Sequence, residues 1–173
     1  MILIGQFDSP FVRRVGIALT LYQLPFEHRP WSVFGDTERI RPYNPLVRVP
    51  TLVLDDGVCL LESHIILDYL DGLVGPQRAM FPPGGNARRD ALRICALATG
   101  MADKAVALFY ELRLHEQVSP RWVDRCRSQV VEVADGLEQI WSDRPTTATS
   151  GGRVGHADIA VAVVLRFLQE AHP

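Results

Sequence analysis

Three short stretches of the 173-residue chain carry groups that could do chemistry together. The first is Ser9, which follows the apolar run Ile2–Ile4 and precedes Pro10, a residue suited to a first helical turn. A hydroxyl at a helix start can donate a hydrogen bond to an anion, and the helix N-terminus adds a favourable partial charge. A thiol held there would ionise below its usual ~8.5, because the thiolate is the favoured form. Taken alone, Ser9 would be an ordinary N-cap. The second stretch is Val49-Pro50, just ahead of the apolar run Thr51–Leu54. A cis proline at a strand entrance exposes the backbone of the preceding residue to an extended peptide ligand, whereas a trans proline merely starts the strand. The third is Glu62-Ser63, at the head of another helical pattern. A carboxylate can hold an ammonium group, while a hydroxyl and helix N–H groups hold a carboxylate. Together they fit one amino-acid zwitterion, and read singly they make a helix cap with a first-turn acid.

The elements that must position these groups are legible from periodicity. The segment after Pro10 carries Val12, Val15, Leu19 and Tyr22 at steps of three and four, the spacing of an amphipathic helix. Phe26 to Trp31 is expected to form a second strand, so that strand, helix and strand make a parallel βαβ unit. An irregular or helical link runs through Asn44-Pro45. Two apolar runs then flank Asp55-Asp56-Gly57, a hairpin signal in which glycine supplies positive φ. A helix with Ile65, Ile66, Tyr69, Leu70 and Leu73 closes this half. The order is that of a thioredoxin-like domain, expected over residues 1–75.

Gly and Pro concentrate between Gly72 and Gly85, which marks a domain boundary. Residues 86–173 show helical periodicity only, as an all-helical domain. A long helix is expected from about Ala87 to Val118. Ser119-Pro120 restarts the chain with a stripe of Trp122, Val123, Cys126, Val130, Val133, Leu137 and Ile140. Thr146–Gly152 reads as a polar loop. Ala157–Leu168 is apolar nearly all round, which predicts a helix buried in the bundle.

The motifs together resemble cytosolic glutathione transferases, above all serine-dependent members that open this helix with Ser-Pro-Phe. The residues concerned are Ser9-Pro10-Phe11-Val12-Arg13-Arg14-Val15, Asn44 through Leu52, and Leu61-Glu62-Ser63 with the Ile65–Leu70 segment. Gly155-His156-Ala157-Asp158-Ile159-Ala160 resembles the capping segment of that family's buried helix. The resemblance implies a transferase that joins the glutathione thiolate to a small electrophile, with glutathione as co-substrate and no metal or other cofactor. Ser9 would then be the catalytic, thiol-activating residue. Val49 would meet the cysteinyl unit, with Pro50 cis, and Glu62 and Ser63 would hold the γ-glutamyl end. Arg48 would approach the glycyl carboxylate. The resemblance also implies a homodimer, an electrophile lying against the long helix near Met101–Leu108, and further helices beyond Pro173. The alternative is an interaction or regulatory module of the same fold without turnover.

Three features depart from the family pattern. The basic residue that some relatives place after the second strand is not matched; Asp36 stands near there, with Arg39 and Arg41 as possible substitutes. Gly155 replaces the Ser or Thr that usually starts the capping segment, so half of a capping box is lost. The chain also stops at Pro173.

Composition excludes several other classes. A net charge of −2, with 18 basic and 20 acidic residues, gives no footprint for nucleic acid. Pairs such as Arg13-Arg14 and Arg88-Arg89 read as solvated faces. The three cysteines, Cys59, Cys95 and Cys126, form no CxxC pair, so neither zinc nor a redox dithiol is indicated and a reduced compartment fits. The five histidines show no ligand spacing. No apolar run reaches the ~18 residues of a membrane helix, so a cytoplasmic protein without a membrane partner is expected.

Overall fold

The computed structural model describes residues 1–142 and 153–172, which leaves the expected Thr146–Gly152 loop outside the described residues. By its contacts the chain divides into two units, Met1–Pro83 and Gly84–Pro173.

The first unit is built on four three-residue strands, β1 (Ile2–Ile4), β2 (Glu27–Arg29), β3 (Thr51–Val53) and β4 (Cys59–Leu61). Their order in the sheet is β2-β1-β3-β4. β2 runs parallel to β1, while β3 is antiparallel to both β1 and β4. The parallel pair requires a crossover, and α1 (Pro10–Leu21) supplies it. The β3–β4 hairpin turns at Gly57, whose φ of +87° is open to glycine without steric cost. α2 (Thr37–Ile40) is the short link, and α3 (Ser63–Val74) closes the unit against α1. This is the thioredoxin-like layout expected. β2 is shorter than the expected Phe26–Trp31, because only Glu27–Arg29 finds partners on β1.

Beyond the sheet, a buried polar node ties α1 to the segment after α3. Tyr22 donates its hydroxyl hydrogen to the carboxylate of Asp71, which also accepts from Phe81 N at 2.9 Å. Burial, reinforced by that carboxylate, pushes the Tyr22 phenol well above its ordinary range.

The second unit consists of α4 (Gly85–Leu114), α5 (Pro120–Ser142) and α6 (His156–Ala171), with both α5 and α6 packed on α4. The α4 stripe is buried at Ala91, Ile94, Ala98, Met101, Ala105 and Leu108, while Leu112 is exposed. On α5, Val123, Cys126 and Leu137 are buried, and Trp122 lies at the edge with Lys104 Nζ 5.4 Å from its ring centre. α6 differs from expectation. Ala157, Ala160, Val163, Val164 and Phe167 are buried, but Ala162 and Leu165 are exposed, because the helix packs with one face only. Its start keeps half of a capping box: Gly155 N–H donates to Asp158 Oδ2 at 2.8 Å.

α4 stops four residues before the expected Val118, at a carboxylate. Buried Glu111 accepts from Ser119 N at 2.7 Å and from His115 Nδ1 at 2.8 Å, which draws the next turn back across the helix end. The Ser119 N–H bond holds the Glu111 carboxyl below its ordinary value, against the opposing effect of burial, and the His115 bond assists. A depressed folded pKa contributes stability that is fully present above the ordinary carboxylate value of 4.5 and is lost as pH falls through the folded value. Glu111→Gln should therefore remove this contribution, so the stability gap between wild type and variant narrows as pH drops below 4.5. Chemical denaturation of both proteins across this range checks it, and a gap independent of pH would rule it out.

Candidate functional site

The strand directions bring the candidate residues to one edge of the sheet. β1 ends at Ile4, opposite the first residue of β3, Thr51, which also faces the last residue of β4, Leu61. The loop entering α1, the loop entering β3 and the start of α3 therefore meet. Ser9, Arg48, Val49, Pro50, Glu62 and Ser63 all lie in these three junctions.

Close packing binds the junctions together. Gly5 sits at φ +129°, and a Cβ there would fall 2.5 Å from Val12 Cγ2 and 2.8 Å from Val49 Cβ. Only glycine lets the strand exit pass this close to both α1 and the Val49-Pro50 junction. The Val49-Pro50 peptide bond is cis. Buried Asn44 shapes the loop before it. Asn44 Nδ2 donates to Arg48 O at 2.8 Å and to Thr51 Oγ1 at 3.2 Å, while Asn44 Oδ1 accepts from Leu46 N at 3.0 Å. Asn44→Ala would remove all three bonds and leave Arg48 O and Thr51 Oγ1 only their bond to each other at 3.2 Å, at about 1–3 kcal/mol. The expected result is a lower unfolding midpoint, and an unchanged one would show that the loop holds its shape by other means.

Ser9 is the N-cap of α1, in extended conformation, with its Oγ accepting from Val12 N at 3.4 Å. The hydroxyl oxygen thus serves the helix, and its own hydrogen is left to be donated elsewhere. Pro10 follows in the first turn as expected.

Glu62 is the N-cap of α3 at φ +65°, a conformation that costs a non-glycine residue about 1–3 kcal/mol and survives only where surrounding structure imposes it. Its Oε1 lies 3.1 Å from Arg48 Nη1, with both side chains about half exposed. Ser63 follows, buried, and its Oγ accepts from Arg14 Nη1 at 3.4 Å.

Arg14 corrects the reading of Arg13-Arg14 as a solvated pair. It is 1% exposed. Pro10 and Ala18, four residues to either side, are both buried, so Arg14 falls on the inner face of α1 against α3. A guanidinium stays charged at any ordinary pH, so a fixed positive charge lies beneath the first turn of α3. The sequence signal was present in those small or apolar flanking residues.

Arg39 and Arg41, weighed as substitutes for a missing cation, pair with Asp36 at 3.0 Å and Glu38 at 3.1 Å on the surface. Asp36 also accepts from Ser32 N at 3.0 Å and so closes its own loop. Among the described residues, no group of three or more His, Cys, Asp or Glu is placed to hold a metal ion. Cys59, Cys95 and Cys126 form no disulfide, and the last two are buried. No described helix is long and apolar enough to cross a membrane.

Such an edge can hold a short peptide. Backbone beside a cis proline offers strand-like pairing, a carboxylate and a helix N-terminus take a zwitterion, and a hydroxyl faces whatever lies at the start of α1.

Known proteins resemble the chain over nearly its whole length. Residues 3–78 match the model of the glutathione S-transferase N-terminal domain, and residues 120–173 that of the C-terminal domain. The chain is 30% identical to the uncharacterized GST-like protein YibF of Escherichia coli (strain K12), over 97% of this chain and 82% of that one. A stretch of 70 residues is 44% identical to glutathione S-transferase U1 of Arabidopsis thaliana, covering 40% of this chain and 31% of that one. Among solved structures, a glutathione transferase family member from Pseudomonas fluorescens Pf-5 with bound glutathione superposes with a TM-score of 0.84 at 32% identity, covering 99% of this chain and 84% of that one. A glutathione S-transferase from Methylobacterium radiotolerans in complex with glutathione sulfonate gives a TM-score of 0.88 at 31% identity, covering 97% and 78%. By these matches the chain belongs to the glutathione S-transferase family.

Proposed function

We propose that this protein is a glutathione transferase of the serine-dependent type. The observation that carries the reading is the meeting of Ser9, Val49-Pro50 and Glu62-Ser63 at one sheet edge, with Pro50 cis. In this reading glutathione lies extended along the β3 entrance. Val49 pairs with its cysteinyl backbone. Glu62 takes the γ-glutamyl ammonium. Ser63 and the first-turn N–H groups of α3, above the Arg14 charge, take the adjoining carboxylate. Arg48 takes the glycyl carboxylate. Ser9 donates its hydroxyl hydrogen to the sulfur and favours the thiolate, the thiol proton passing to solvent. The thiolate then attacks an electrophilic carbon, a C–S bond forms, and the leaving group departs with its electron pair. These steps need no metal and no protein nucleophile.

The same reading places the protein in the cytoplasm as a detoxifying homodimer. On α3, Ile65, Tyr69 and Leu73 recur every four residues and are 50%, 39% and 52% exposed, an apolar stripe suited to a second copy. Sedimentation at micromolar concentration should show twice the chain mass, and a monomer would overturn this part.

Retention on immobilised glutathione, with turnover of a chlorinated nitroaromatic in its presence, tests the whole. Retention without turnover across a panel of electrophiles would support the interaction-module alternative. Failure of both would remove the glutathione assignment.

A further inference from the structure

Arg48 and Glu62 are assigned opposite ends of one ligand, yet here they pair with each other, with 3.1 Å between Nη1 and Oε1. We propose that this pair is a specificity device, which makes the protein select ligands carrying both an ammonium and a distal carboxylate. The proposal rests on the reading of Glu62 and Arg48 as glutathione contacts.

The argument is one of charge balance. In the ligand-free protein the Arg48 guanidinium sits on the carboxylate that the ligand ammonium needs. An ammonium added at Glu62 Oε2 would lie beside that guanidinium, and like charges at such a distance repel. Ligand binding therefore displaces Arg48. A ligand with a glycyl carboxylate gives the displaced guanidinium a new partner, so no ion pair is lost. A ligand with that end capped leaves Arg48 without one, and its binding is weakened by the pair it broke. Both side chains are long and about half exposed, 59% for Arg48 and 45% for Glu62, so the exchange needs no backbone movement. The same exposure limits its size, because exposed pairs are worth about 0.2–1 kcal/mol, and the effect on affinity is about 1.4- to fivefold.

This account makes a prediction of sign that a simple contact does not. Arg48→Met keeps most of the side-chain stem and removes the charge. Calorimetry is run with glutathione, and with glutathione amidated at the glycyl carboxylate, on wild type and variant. Glutathione should bind wild type and variant about equally, because the glycyl–Arg48 pair that the variant lacks is offset by the Arg48–Glu62 pair that it need not break. The amide should bind the variant about 1.4- to fivefold more tightly than it binds wild type, because Glu62 is no longer occupied. If Arg48 only contacts the glycyl end, the amide binds both proteins alike, and the proposal is overturned. It is also overturned if the amide binds the variant more weakly. Should wild type bind neither ligand, the glutathione reading falls first and takes this inference with it. Matching thermal unfolding of the two proteins shows that the fold is intact.

Discussion

Glutathione should bind Glu62→Gln about 10- to 100-fold more weakly than it binds wild type, with the fold unchanged. The carboxylate is the one negative charge among the residues assigned to the ligand, and the γ-glutamyl ammonium is the ligand's one positive charge. A hydrogen bond between charged partners contributes about 1.5–3 kcal/mol, more than a neutral one. Glutamine has nearly the same shape, so the φ of +65° at this position and the start of α3 are imposed on it as they are on glutamate. The Glu62 side chain is 45% exposed, and its pair with Arg48 is a surface pair, so its loss should leave the unfolding midpoint almost unmoved. The defect should be equal for glutathione and for S-methylglutathione, because the interaction is remote from sulfur. Calorimetry with both ligands checks this, and affinity equal to wild type would take Glu62 out of the site.

Which parts of this site were legible in the sequence depends on how local the signal is. Ser9 and Pro10 announce a helix start because cap and first-turn preferences act within a few residues, and the structure places both as expected. Asp55-Asp56-Gly57 announces the hairpin for the same reason, as does Ser119-Pro120 the start of α5. Arg14 was misread because charge is a poor guide where the partner lies 49 positions away on another helix. The positive φ of Glu62 has no sequence signal at all. Glutamate does not favour that conformation, and it is the meeting of β4 with α3 that imposes it. The end of α4 was placed too late because the apolar pattern runs on through Val118, while Glu111 captures the turn by a side-chain contact that periodicity does not register. α6 looked buried all round because its composition is apolar, and composition does not say which face meets a neighbour.

Ser9→Ala should slow turnover about a hundredfold while changing glutathione affinity little. Removing one preorganised donor from a developing or bound anion commonly costs a factor of about 10²–10³ in rate. Affinity is held elsewhere, by the contacts assigned to Val49, Glu62 and Ser63. Without the hydroxyl, the bound thiol should titrate closer to its free value of ~8.5, and activity should recover partly as pH rises through that range. The rise of the thiol pKa should itself be incomplete: the α1 N-terminus remains in the variant, so part of the depression survives. The substitution also removes a cap. At 3.4 Å the Ser9 Oγ contact with Val12 N is long, so the stability lost should lie toward the lower end of the usual range, about 0.5–1 kcal/mol. Ser9→Thr is the conservative control, because threonine keeps both the cap and a hydroxyl to donate and should retain more activity than alanine. The measurement is a pH–rate profile for all three proteins, with thiolate absorbance of bound glutathione read alongside. If the wild-type and alanine profiles superimpose, Ser9 is a helix cap only and another donor activates the thiol. If the alanine variant instead loses glutathione affinity in proportion to rate, the hydroxyl holds the ligand rather than its charge state, and the division of labour between Ser9 and the α3 end is wrong.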